Sequence, residues 1–181
     1  IAINKNLYAL SSVPDTIWKI IYGTQIENKG KYRYSDLDFI FLKRVIDSLI
    51  RLPFDQYLDN YFYTPLGMDH TMFNPHVKVS IDQVVPTEKD NYFRQNEIRG
   101  YVHDPGAALF GGVSGHAGLF STANDLAKLF QMFLNGGSYG GEMYFGPKTI
   151  QYFSQNHSEV SRRGLGFDKP EIDESEPYSP T

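Results

Sequence analysis

Between Ser35 and Ile50 the chain carries two apolar faces at once: Leu37, Phe41, Val45 and Leu49 mark one, and Leu42, Ile46 and Ile50 mark the other. A helix apolar around so much of its circumference must be covered by other protein on most sides, so this segment is expected to be a central element of whatever the chain folds into. Ser35, with Asp38 three residues on, is a capping-box pattern that would start the helix. The residue before it, Tyr34, then lies beside a helix N-terminus, where free N–H groups and the positive end of the helix dipole favour an anion.

Other elements are punctuated by proline and glycine. A short helix is expected from about Pro14-Asp15 to just before Gly23, and another from Pro53, with Phe54, Tyr57, Leu58, Tyr61 and Phe62 at helical spacing and Pro65 and Gly67 as its stop. Thr122, with Asp125 three residues later, caps a helix through Leu126, Leu129, Phe130, Phe133 and Leu134 to the Gly136-Gly137 stop, and Pro147 starts a last one. Asp69 to about Gly118 is polar and glycine-rich, with short strands expected only at Val77–Ile81 and Gln83–Val85. A loop that long usually serves a site. Asp168 to Thr181 holds five acidic residues and three prolines without an apolar pattern, which predicts residues 1–167 as one partial domain and 168–181 as a linker or surface segment.

Several function classes fall away on composition. The 17 basic residues are scattered among 21 acidic ones, which argues against nucleic acid as a partner. No apolar run approaches a membrane span. Without cysteine there is no disulfide, thiolate metal site or cysteine nucleophile. The five histidines offer no helical i, i+4 pair, so no metal is expected, at His70, His103 or His116 in particular, and no cofactor. His103-Asp104-Pro105 reads as a turn opener before a carboxylate-oriented histidine. Gly112-Val113-Ser114-Gly115-His116 is the nearest approach to a nucleophile elbow; the residue types alone favour a glycine-rich turn whose histidine bonds a loop carbonyl. By the same standard Tyr34 reads first as an aromatic staple on the helix and second as a general base awaiting a cation to lower its pKa.

Four runs in order change that weighting. They are Tyr34-Ser35-Asp36-Leu37-Asp38-Phe39-Ile40-Phe41-Leu42, Pro53-Phe54-Asp55-Gln56-Tyr57-Leu58, Pro65-Leu66-Gly67-Met68-Asp69-His70-Thr71, and Gly115-His116-Ala117-Gly118-Leu119-Phe120-Ser121-Thr122-Ala123-Asn124-Asp125-Leu126. Together they resemble the serine β-lactamase and penicillin-binding-protein-like family, in its class C β-lactamase, D-alanyl-D-alanine carboxypeptidase and esterase branch. The resemblance runs from about Tyr32 to Phe153, and Arg162-Arg163-Gly164-Leu165-Gly166-Phe167 looks like the run into that family's next strand.

What the resemblance implies is a mainly α segment: the helical subdomain, with long loops and little strand, of an α+β β-lactamase/transpeptidase-like fold. In that family a Ser-x-x-Lys supplies the acylated serine and its lysine, a Tyr-x-Asn supplies a base and an orienting amide, and a Lys-Thr-Gly or His-Thr-Gly strand flanks the oxyanion hole. Tyr34 matches the tyrosine; Asp36 stands where the asparagine would be, an acceptor-only carboxylate in place of an amide. Tyr34 and Asp36 are therefore the implied catalytic pair, with His116 a substrate-binding residue. The serine–lysine and Thr-Gly elements are absent from the 181 residues, so the expected function is a segment of a serine acyl hydrolase acting on a peptidoglycan-like peptide, ester or β-lactam, inactive by itself and capable of self-association. A parent fused to a glycosidase and a periplasmic or extracellular location are also implied. The alternative is a non-catalytic binding or scaffolding module beside such a glycosidase.

Overall fold

The computed structural model describes residues 1–27 and 29–170. The chain divides into two compact units, the first comprising residues 1–26 and 35–126 and the second residues 27–34 and 127 onward. The acidic, proline-rich segment expected over 168–181 falls largely outside the described residues.

The first unit opens with the antiparallel pair β1 (Ala2–Asn4) and β2 (Leu7–Tyr8), followed by α1 (Val13–Gly23), which has Pro14 in its first turn. Next come α2 (Leu37–Leu49) and α3 (Phe54–Leu58), the latter continuing into a π-helical turn over Asp59–Tyr63. Strand β3 (Met72–Phe73) is paired far along the chain with β6 (Leu119–Phe120), which draws the ends of the long intervening segment together. That segment holds two 3-10 turns, at Pro75–Val77 and Ile81–Gln83, then the hairpin of β4 (Pro86–Asp90) and β5 (Asn96–Arg99) and the short helix α4 (Pro105–Leu109). Helix α5 (Ala123–Leu134) starts in the first unit and runs into the second, which also contains the hairpin β7 (Ser138–Tyr139) and β8 (Glu142–Met143) and helix α6 (Pro147–Ser154).

This is not the mainly α segment expected from the sequence. Six α-helices stand beside four two-stranded antiparallel ladders among the described residues. The strands are two to five residues long, too short for period-two alternation to register, and β4 reads Pro-Thr-Glu-Lys-Asp. The strands expected at Val77–Ile81 and Gln83–Val85 are not formed; 3-10 turns occupy those places and the ladder begins at Pro86.

The core of the first unit is a cluster of Ile3, Val102, Ala107 and Ala108, with Phe93, Leu109 and Ala117 packed against it. Small residues let the α4 backbone approach β1 closely. The buried guanidinium of Arg94 sits in the same region: it meets the Asp90 carboxylate at 3.3 Å and donates to the carbonyls of Val102 at 2.6 Å, Ile3 at 3.4 Å and His103. Asp90 in turn accepts backbone N–H bonds from Tyr92, Phe93 and Arg94, each at 2.8 Å, so the β4–β5 turn is organised by one carboxylate. Led by the Phe93 amide, these donors outweigh desolvation and pull the Asp90 carboxyl down to about 2.

Helix α2 departs most from expectation. It buries no residue, and Leu42, Val45 and Leu49 are 54%, 52% and 76% exposed. Its Phe41 meets Trp18 of α1, whose ring also contacts Phe110 at 5.8 Å. Ile46 and Ile50 are partly covered, so the apolar stripe left exposed runs through Leu42, Val45 and Leu49 and draws on both of the expected faces.

Candidate active site

Helix α2 starts one residue later than the capping-box pattern implies. Asp36 is its N-cap and makes no side-chain cap; Ser35 Oγ accepts only the long 3.3 Å bond from the Leu37 amide, and Asp38 takes the Phe39 amide at 2.8 Å. The Asp36 side chain points elsewhere, with a carboxylate oxygen within 4.8 Å of ligand atoms of Asp104 and His116. Three segments far apart in sequence thus converge at the start of α2.

Asp104 is fixed by its own helix. As the N-cap of α4 it accepts the Ala107 N–H at 2.6 Å, and the same Oδ1 lies 2.8 Å from His116 Nε2. Burial pushes its carboxyl up, but the Ala107 amide, the His116 contact and the Gly106 amide outweigh burial and hold it below the ordinary range. It is therefore a carboxylate at neutral pH and can only accept. In neutral His116 the proton must then sit on Nε2, which leaves the Nδ1 lone pair to accept from Ser114 Oγ at 2.9 Å. The imidazole is 5% exposed and anchored at both nitrogens.

The glycine-rich turn expected around His116 is present, but the ring bonds a serine and a carboxylate, not a loop carbonyl. Asp104 opens a turn as expected and orients a histidine too, though His116 and not its neighbour, since His103 is exposed and pairs with Glu88 at 2.9 Å. Asp36, Asp104 and His116 form a donor set of a size that suits a divalent ion. Spacing arguments missed it because its members are brought together only by folding; as arranged, the Nε2 proton fills the gap between His116 and Asp104. His70 uses its backbone N–H on the buried Asp125 carboxylate, which Thr71 Oγ1 also reaches at 3.0 Å, so that side chain ties the loop to the start of α5.

The turn bearing His116 is pressed onto α2. A Cβ at Gly115 would lie 2.1 Å from the Phe39 carbonyl oxygen, and one at Gly118, where φ is +115°, 2.2 Å from the Gly112 carbonyl oxygen. Only glycine fits at either position.

Tyr34 belongs to the second unit. It is 65% exposed, and the Arg163 guanidinium lies 5.1 Å from its ring centroid and 6.0 Å from that of Tyr32. The cation over the Tyr34 ring is thus an arginine from the run that leads out of α6.

Comparison with known proteins identifies the family. The β-lactamase family profile matches residues 6–166. A relative from Salmonella paratyphi B, named "Putative D-alanyl-D-alanine carboxypeptidase", is 38% identical over 180 residues, covering 91% of this chain and 42% of its own length; an equally similar relative occurs in Salmonella newport. The chain thus spans less than half the length of the curated relatives it matches. Among solved structures, the D-amino acid amidase of Ochrobactrum anthropi aligns with a TM-score of 0.56 at 16% identity over 86% of this chain and 42% of that one. The octameric penicillin-binding protein homologue of Pyrococcus abyssi aligns at 0.53 and 16% identity over 81% and 31%. These distant likenesses speak for the fold, while the profile match extends over nearly all of the described residues: the chain belongs to the β-lactamase family.

Proposed function

We propose that this segment supplies the Tyr34 and Asp36 portion of a serine acyl hydrolase acting on a D-alanyl peptide, an ester or a β-lactam at the cell envelope. The observation that carries this reading is the placement of Tyr34-Ser35-Asp36 at the N-terminus of α2, with Asp36 facing His116 and Asp104. The carboxylate at Asp36 accepts hydrogen bonds but donates none, so the substrate is oriented through its N–H groups. His116, held at both ring nitrogens, serves substrate binding from the same cluster by backing the Asp36 position instead of offering a free ring nitrogen. The nucleophile and its lysine belong to the parent protein, which acts in the periplasm or outside the cell. The test is to assay the parent with a D-alanyl-D-alanine peptide, a chromogenic cephalosporin and a p-nitrophenyl ester. Turnover of at least one, abolished by replacing the Ser-x-x-Lys serine, supports the reading; a parent without that motif leaves a non-catalytic binding module instead.

The exposed face of α2 gives this segment a second property, self-association, and the Pyrococcus abyssi neighbour is itself described as octameric. Sedimentation velocity should show concentration-dependent oligomers that Leu42→Glu with Leu49→Glu converts to monomer. A wild-type chain that stays monomeric at high concentration removes the idea.

A further inference from the structure

We propose that Ser114, His116 and Asp104 constitute a second acyl-transfer site, with Ser114 as nucleophile toward a small ester. Three side chains stand in the order such chemistry needs: nucleophile to base at 2.9 Å, base to orienting carboxylate at 2.8 Å. The tautomer is forced, because ionised Asp104 claims the Nε2 proton and leaves Nδ1 as the base facing Ser114. The ring is turned over relative to the usual serine triad, but the roles depend on contact and not on which nitrogen is used.

Ser114 also lines a cavity of about 170 Å³ whose walls include Trp18, Ile40, Phe110 and Val113. A cavity of roughly 150 Å³ admits a benzene ring, so the group accommodated is an acyl chain no larger than benzoyl. Lys43 and Arg44 line it as well, Lys43 paired with Asp47 at 2.7 Å and Arg44 stacked over Trp18 at 5.3 Å. Asp47 lines the cavity too and offsets Lys43, so the positive charge available to an oxyanion there is that of Arg44.

In the reaction Ser114 Oγ bonds to the ester carbonyl carbon while its proton passes to His116 Nδ1. Collapse of the tetrahedral intermediate breaks the bond to the alcohol, which leaves with that proton, and water then attacks acyl-Ser114, its proton passing by way of Nδ1 to Ser114 Oγ as the carboxylic acid is released. None of these steps involves Tyr34, and Asp36 lies by the acceptor shared with the other ring nitrogen.

The test is to treat the 181-residue chain with a small fluorophosphonate and locate the adduct by peptide mass spectrometry. One adduct at Ser114 is expected, absent from Ser114→Ala and formed about 10²-fold or more slowly in His116→Gln, the usual contribution of a positioned base. No adduct on folded wild type, an adduct that survives Ser114→Ala, or an unchanged rate in His116→Gln overturns the proposal. Should His116→Gln lose its circular dichroism signature, Asp104→Asn decides in its place: it removes the carboxylate that fixes the His116 tautomer, and an unchanged labelling rate there also overturns the proposal. Labelling at Ser114 is independent of the Ser-x-x-Lys, so its outcome is separate from that of the parent's assay.

Discussion

Arg94→Met is expected to destabilise the first unit by on the order of 3–5 kcal/mol, the usual result of removing one partner from a buried, hydrogen-bonded ion pair. The guanidinium has no exposed surface, and its loss leaves the Val102 and Ile3 carbonyls without that donor and Asp90 buried without its cation. A loss of this size is a large part of the stability of an ordinary domain. Urea unfolding followed by circular dichroism measures it; a change below about 1 kcal/mol would show that the backbone amides alone neutralise Asp90. The same carboxylate sets the acid limit. Its folded pKa of about 2 lies below the unfolded value of 3.8, so its contribution is fully present above the unfolded value and is lost as pH falls from there toward 2. Asp90→Asn should flatten that part of the stability profile.

The second large effect concerns catalysis in the parent. Tyr34→Phe should leave folding nearly unchanged, because the ring keeps its place under Arg163, yet lower turnover by about 10²-fold or more if the phenol transfers a proton. Arg163→Gln provides the companion measurement: if the cation serves the phenol, its removal should lower turnover with folding unchanged, whereas a side chain that only packs would change stability alone. Unchanged turnover in Tyr34→Phe would reduce the tyrosine to an aromatic contact at a helix end.

The residues that announced themselves in the sequence were those acting through their own neighbours. Thr122 and Pro147 begin helices within a residue of where they were expected, since caps and fixed φ act locally, whereas the first helix starts at Val13 and takes Pro14 and Asp15 into its first turn. Ser35 and Asp38 misled by one residue because each bonds a backbone amide beside it instead of reaching across the turn. The helix after Pro53 changes to π geometry at Asp59, for which apolar spacing gives no sign. The ladders were hidden for another reason: β3 pairs with β6 nearly fifty residues on, and two-residue strands carry no period. Asp36 and His116 were reached through the family's motifs, but the side chains that position His116 were not. Ser114 lies two residues away and was visible only as a near miss to an elbow, and Asp104 looked like a turn residue because it is one, as well as a hydrogen-bond partner.

The seating of Gly115 against Phe39 bears on how such a site diversifies. Where one backbone rests on another with no side chain between them, the separation of Asp36 from His116 is set by main-chain contact and is indifferent to the identity of the surrounding residues. The side chains that meet a substrate can then be exchanged over evolutionary time without respacing the polar groups, while a single methyl at Gly115 would pry them apart. Selection for new substrates is thus free to act on the walls, and purifying selection falls on an atom that is not there.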